Sequence, residues 1–192
     1  MQQVGITGGI GSGKTTVCRI FETLGIPVYY ADDRAKMLMT EDDELREHIT
    51  DIFGDAAYGS DGSLDRKHLA SVVFSDKDKL KALEAVVHPA VHRDGQNWHA
   101  AQDAPYTLKE AALLVENGSY KLLDKMIMVF APEETRIERV MQRDGTERSA
   151  VEARMKAQLS DAEKMKVCDF VIYNEGKKSL IKQVLNIHRQ LK

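Results

Sequence analysis

The sequence predicts an α/β fold: a sheet of five short parallel strands with helices between them, in one domain enlarged by helical insertions. Three observations carry this. The apolar run Val4-Gly5-Ile6-Thr7 leads straight into the glycine-rich stretch Gly8-Gly9-Ile10-Gly11-Ser12-Gly13-Lys14-Thr15, which an amphipathic segment (Val17, Ile20, Phe21, Leu24) follows. Four more short apolar runs, 28–31, 106–111, 126–131 and 170–173, are joined by helical stretches rather than tight turns. Between the second and third runs lies a long stretch with apolar residues at helical spacing, longer than a simple crossover requires. At 192 residues the chain can bury a sizeable core, and a single domain is the natural count.

The first strand and its loop set the chemistry. The loop fits G-x-x-x-x-G-K-[ST] at every fixed position, with Gly8, Gly13, Lys14 and Thr15 as the four. A loop of this kind closes around a polyphosphate with its own N–H groups, and the helix that starts near Gly13 adds the positive end of its dipole. Gly8, Gly9, Gly11, Ser12, Gly13, Lys14, Thr15 and Thr16 are the candidate ATP contacts, with Lys14 on the β- and γ-phosphates and the Thr15 hydroxyl on Mg²⁺.

That helix is expected to end near Gly25, with Pro27 two residues on. The second strand, 28–31, brings Asp32-Asp33 to the carboxyl edge of the sheet, where parallel sheets hold ligands. A carboxylate there can act on whatever attacks a γ-phosphate; as an alternative, Asp is also a good helix cap. From Arg34 to about Gln102 the pattern is helical around one loop, Gly54 to Gly62, and the segment reads as a substrate-covering insertion. His88 precedes Pro89 and is expected to be a hinge or turn. His92-Arg93-Asp94 imitates a protein-kinase catalytic loop, but the residues that should accompany it are absent, and Asp51-Ile52-Phe53-Gly54 imitates a GTPase switch motif yet follows a helix and not a strand.

The third strand carries Lys109 and Glu110, an odd interruption, and Leu113-Leu114-Val115-Glu116 brings Glu116 close to the carboxyl edge. The fourth strand is unbroken and apolar, as a central parallel strand should be. Pro132-Glu133-Glu134 opens a helix bearing Arg136, Arg139 and Arg143, the last two i,i+4 neighbours. Ser149 and Glu152 are expected to form a capping box for the next helix, on which Arg154 and Gln158 share a face. A helical hairpin lined with cations is what a lid over phosphates requires. After the fifth strand, Leu180, Ile181, Val184, Leu185, Ile187 and Leu191 assign one face of a last helix to the core.

Composition excludes other classes. A net charge of -3 gives no basic footprint for nucleic acid. No apolar run approaches the roughly 18 residues of a membrane span. Cys18 and Cys168 are too few for a disulfide framework and are expected to be reduced thiols in a cytoplasmic protein without a signal peptide.

Taken together, 4–16, Ala31-Asp32, Gly62-Ser63-Leu64-Asp65-Arg66 with Phe74 and His88-Pro89, Leu113-Leu114-Val115-Glu116, Arg139 with Met141-Gln142-Arg143-Asp144, Arg154 with Gln158, and 169–176 resemble dephospho-CoA kinase over essentially the whole chain. The resemblance implies a P-loop kinase of the nucleoside-monophosphate-kinase type, a three-layer α/β/α fold around five parallel strands. It implies transfer of the ATP γ-phosphate to the ribose 3′-hydroxyl of dephospho-CoA, with Mg²⁺ as cofactor and ATP and dephospho-CoA as the small-molecule partners. A monomer is expected, with a homo-oligomer as the alternative. The nucleotide core would be 1–31, 103–139 and 166–192, the CoA-binding insertion 32–102 and the lid 140–165. Asp32, Lys14 and Arg143 would be catalytic, Arg139 would join the ATP site, and Asp32, His88, Glu116 and Arg154 would bind the acceptor. Two departures stand out: Glu110-Ala111-Ala112 replaces the family's Asp-x-Pro, and Tyr30-Ala31-Asp32 replaces its Asp-Ala-Asp. A P-loop kinase for another small hydroxyl acceptor such as a nucleoside, a GTPase switch and a nucleotide-sensing module without turnover are the alternatives.

Overall fold

The computed structural model describes residues 1–192, which divide into two compact units, Met1–Tyr30 with Gln102–Lys192, and Ala31–Ala101. The first unit holds the sheet: β1 (Gln2–Thr7), β2 (Val28–Tyr30), β3 (Tyr106–Glu110), β4 (Lys125–Phe130) and β5 (Phe170–Tyr173), in the order β2-β3-β1-β4-β5 and all parallel. The central place of β1 follows from its burial, since every residue after Gln2 is buried, as a strand covered on both faces must be.

Strand alternation separates two layers. Val4 and Ile6, with Tyr106, Leu108, Ile127, Val129 and Ile172, point into one cluster with Val17, Cys18 and Phe21 of α1 (Lys14–Thr23) and Val184, Ile187 and Leu191 of the C-terminal helix (Leu180–Leu191). Burying about a dozen such side chains at roughly 1.5 to 3 kcal/mol each is the main force holding the loop-bearing strand in place. On the opposite face a methyl group at Gly5 would collide with Met126 and Leu123. Ile181 is 58% exposed, so the last helix puts a narrower face into the core than its apolar residues suggested. Gly25, in the left-handed region at φ 78°, closes α1 through its N–H to the Glu22 carbonyl.

The second unit is a set of helices: α2 (Ala31–Glu41), α3 (Asp43–Phe53), α4 (Arg66–Ser75) and α5 (Lys77–Ala100). Three aspartates start three of them. Asp42 caps α3 by accepting from Leu45 N at 3.0 Å, Asp65 caps α4 from Lys67 N and His68 N, and Asp76 caps α5 from Asp78 N and Lys79 N. Leu38, Leu45, Ile49, Leu69, Val87, Ala90 and Val91 are buried.

His88 and Pro89 do not make a turn: both lie inside α5. Proline there removes one helical hydrogen bond. Burial of Val87, Ala90 and Val91 on either side, together with the Arg34 Nε to Asp94 Oδ2 bond of 2.8 Å that ties α2 to α5, outweighs that cost.

Back in the first unit, β4 leads into α6 (Glu133–Asp144), followed by α7 (Arg148–Lys156) and the short α8 (Asp161–Met165). The capping box belongs to α8, where Ser160 and Glu163 bond reciprocally; α7 starts at Arg148, ahead of Ser149, and Glu152 accepts from Arg148 instead. No helix is long and apolar enough to cross a membrane. The C-terminal helix, 180–191, is α9.

Candidate active site

The carboxyl ends of β1 and β3 meet at the loop. Ile6 is paired with Glu110, and Tyr30 at the end of β2 is paired with Glu110 from the other side. The chain leaves β1 at Thr7 and turns through Gly8, Gly11 and Gly13, whose φ angles of 151°, 78° and 95° are open to glycine and strained for other residues. Gly13 is the cap of α1 and has no side chain with which to satisfy the first N–H groups of that helix. Those donors are left for an anion, and the helix dipole favours one. The Ser12 Oγ inside the loop is buried with no hydrogen-bond partner.

Neighbouring groups fix the loop by taking its carbonyls. Gly9 O accepts from Ser12 N at 3.1 Å, Gly8 O from Lys14 Nζ at 3.2 Å, Ser12 O from Asn174 Nδ2 at 2.8 Å and Gly11 O from Arg139 Nη1 at 3.4 Å. Ile10 N donates to Gln158 Oε1 at 3.0 Å. Arg139 also reaches Asn174 O through Nη2 at 3.3 Å, so one guanidinium joins the loop to the segment after β5.

Lys14 lies 3.7 Å from Glu110 Oε1, with both side chains about nine-tenths buried. This explains the charged interruption of the third strand: Glu110 brings negative charge to the loop's lysine at the sheet edge. Lys109 points to the other face, beside the Tyr29 ring at 6.0 Å, and burial lowers its pKa. Burial first, and then the Glu110 carboxylate, pushes the Cys18 thiol well above its ordinary value, which makes it inert. Burial raises Cys168 to about 11 with the same consequence.

The remaining predicted residues divide into groups. Thr15 and Thr16 are exposed in the first turn of α1. Asp32 and Asp33 stand in the first turn of α2, which begins at Ala31 directly after β2 ends at Tyr30. Asp33 accepts from Lys36 at 2.7 Å, leaving Asp32 as the exposed acid nearer the strand. His88 is exposed on α5.

Glu116 is held by Lys164 Nζ at 2.7 Å and Leu159 N at 3.1 Å, and its Oε2 is buried without a partner. Lys164 is itself fully buried and donates to Ala112 O at 3.2 Å. Arg143 and Arg154 do not turn to the loop. Both bond Asp144, at 2.6 and 3.0 Å, and Arg143 raises its own pKa by doing so while holding the Asp144 carboxyl below its usual range. Gln158 lies in the turn after α7 rather than on a helical face shared with Arg154.

Sequence reasoning passed over Asn174 and Lys164 as parts of this site and counted Arg136 only among the cations of the hairpin. Arg136 is one helical turn before Arg139, a spacing that puts both on one face, so that signal was present. Asn174 carried none, because its role is a contact with a carbonyl 162 residues away.

Residues 2–179 match the family model described as dephospho-CoA kinase. A dephospho-CoA kinase of Salinibacter ruber is 41% identical over 179 residues, 92% of this chain and 90% of that protein. The crystal structure of TT1252 from Thermus thermophilus has a TM-score of 0.88 at 38% identity, covering 100% of this chain and 98% of that one. Dephospho-CoA kinase from Campylobacter jejuni follows with a TM-score of 0.65 at 25% identity, over 100% and 97% of the two chains.

Proposed function

We infer that the chain, which belongs to the dephospho-CoA kinase family, transfers the γ-phosphoryl group of ATP to the ribose 3′-hydroxyl of dephospho-CoA, giving CoA and ADP. The reaction is that of an ATP-dependent phosphotransferase with an alcohol acceptor. The observation that carries the residue assignment is the loop: three glycines in conformations other residues avoid, carbonyls engaged by fixed donors, and Lys14 at its mouth.

Phosphoryl transfer asks a protein for position and for neutralisation of charge. In the reading proposed here the loop N–H groups and Lys14 hold the β- and γ-phosphates. Arg139 steadies the loop from the nucleotide side. Asp32 accepts the proton of the 3′-hydroxyl as its oxygen forms the new P–O bond and the bond from the γ-phosphorus to the β,γ-bridging oxygen breaks. Arg143 and Arg154 leave Asp144 to meet the charge on the transferring group. The unit 31–101, with His88, takes the acceptor, segment 140–165 is the lid, and Glu116 supports it through Lys164.

No group of three or more His, Cys, Asp or Glu side chains could hold a metal by protein alone. Mg²⁺ fits this chain in another way, since it is held through one or two protein oxygens together with substrate phosphates. The exposed Thr15 hydroxyl is such an oxygen and would hold the ion, which when bound neutralises charge on the β- and γ-phosphates.

The test is turnover with ATP and a panel of acceptors: dephospho-CoA, nucleosides and shikimate. Phosphorylation of dephospho-CoA alone is expected, and preference for another acceptor overturns the assignment. Asp32→Asn should lower turnover by at least about 10²-fold while ATP binding survives; near-normal turnover moves the role to Asp33 or Glu116.

A further inference from the structure

The contact between the loop and α6 contains a group that the mechanism above does not use. Arg136, in the first turn of α6, is a charged side chain about nine-tenths buried. Its guanidinium lies directly over Gly9: a methyl group placed there would collide with Nη1 and come within 2.9 Å of Cζ. Its backbone lies beside Gly11, where a methyl group would come within 2.5 Å of the Arg136 carbonyl oxygen. Asp161, the first residue of α8, takes Nη2 at 3.3 Å, and Nε is buried with no hydrogen-bond partner.

A buried guanidinium with one long ion-pair contact and an orphaned N–H is under-satisfied, and such a donor favours any arrangement that supplies a second acceptor. The only groups with negative charge that the site is built to receive at the loop are phosphate oxygens. A carboxylate resembles a phosphate in offering two oxygens to the guanidinium fork, and a triphosphate offers more of them with more charge.

We propose that Arg136 is a further triphosphate-binding residue and that Asp161 is its stand-in ligand. Asp161 holds the guanidinium over Gly9. When a triphosphate occupies the loop, Arg136 passes from the carboxylate to a phosphate oxygen and Asp161 is released. Asp161 begins α8, so the exchange releases the start of that helix from α6, while Gln158 still accepts from Ile10 N and Lys164 still holds Glu116. The inference rests on the assignment of the loop to ATP.

A pair that merely holds the fold and a pair that competes with ligand differ in sign. If Asp161 competes with phosphate, Asp161→Asn removes the competitor and tightens ATP binding, while Arg136→Gln weakens it. The experiment is calorimetric titration of ATP and of ADP into the full chain and into Asp161→Asn, Arg136→Gln, Arg136→Lys and the double variant, with melting temperatures as the control for folding. Expected are a Kd for ATP several-fold lower in Asp161→Asn, roughly tenfold higher in Arg136→Gln and partly restored in Arg136→Lys. The benefit of Asp161→Asn should vanish in the Arg136→Gln background.

Weaker ATP binding in both single variants, or an Asp161→Asn gain that persists without Arg136, overturns the exchange while leaving the loop assignment intact. Absence of ATP binding by the unaltered chain removes both. If Arg136→Gln does not fold, Asp161→Asn against Arg136→Lys decides alone: tightening in the first and near-normal affinity in the second support the exchange, and unchanged affinity in the first refutes it.

Discussion

The two ends of α6 carry the same residue type in opposite surroundings. Near its start, Arg136 is buried over Gly9 and Arg139 bonds the Gly11 carbonyl; at its end, Arg143 has a side chain 62% exposed and bonds the adjacent Asp144. The first kind of cation lies against the loop, and Arg136 acts in a region from which water is largely excluded. The second kind is solvated, so its ion pair contributes little and is easily given up. The difference teaches that cations on this helix divide into those that shape the ground-state site and those that can act only after movement. Kinetics should show the division, since uniform binding changes KM and interactions confined to the transition state change kcat.

The largest effect should come from the other buried cation at the loop, Lys14 of α1. Lys14→Ala removes the ammonium that sits between the Gly8 carbonyl and Glu110, and turnover is expected to fall by about 10³-fold, the scale of losing one preorganised charge at a reacting centre. Because Glu110 loses that partner too, Glu110→Gln is the comparison variant. It should lose stability by thermal denaturation yet keep far more activity than Lys14→Ala. Equal losses of activity would make the pair structural.

Next come the two arginines one helical turn apart. Arg143→Ala should lower kcat by about 10²-fold with KM for ATP and melting temperature little changed. Arg139→Ala, whose hydrogen bonds of 3.4 and 3.3 Å are long, should raise KM for ATP by about tenfold with a smaller effect on kcat. The reverse pattern would mean that burial on α6 does not separate binding from catalysis.

Much of this was legible in the sequence for physical reasons that act locally. The phosphate loop announces itself because its glycines and its lysine must occur at fixed offsets, and the strands because a parallel sheet covered on both faces needs continuous apolar runs. Five strands and their parallel arrangement followed. What was not legible depends on contacts between distant segments. That α5 runs through Pro89 is decided by burial of Val87, Ala90 and Val91 and by the Arg34 to Asp94 bond. Glu116 and Lys164 are 48 residues apart in the chain, and only the fold makes them a buried pair. Arg148 took Glu152 away from the expected capping box through an i,i+4 pairing that local reasoning allows equally well.

A smaller effect is expected at the exposed end. Arg148 bonds Glu134 and Glu152 with good geometry, and the hydrogen bond to Glu134 is the first reason its pKa is raised. Good geometry in full solvent still contributes little, because salt and water screen both partners. Arg148→Ala should leave kcat and the melting temperature within the error of measurement. A clear loss of stability would show that the α6–α7 rim is held by charge and not by the small apolar cluster of Ile137, Val140 and Val151 beneath it.

The weakest and most specific consequence lies behind the sheet, far from any phosphate chemistry. His188 of α9 is buried and shares a 2.7 Å hydrogen bond with the Tyr106 hydroxyl of β3, and burial first, then Lys192, lowers its pKa below 6.5. The unfolded chain therefore binds the imidazole proton more readily than the folded one, and between the ordinary value near 6.5 and the lowered folded value stability must rise with pH. The contribution is fully present above about 6.5 and is lost as pH falls through that window. Denaturant titrations at pH 7.5 and 5.5 should show the unaltered chain losing stability on acidification. His188→Asn should lose about 1 kcal/mol at the higher pH from the broken bond, show a shallower fall between the two, and keep the kcat of the unaltered chain. If the variant keeps the full pH slope, His188 is not the group being titrated. If its kcat drops with its stability, the core under α9 and the loop at the other end of β1 are not independent, and the separation of shaping from acting groups on α6 loses its basis.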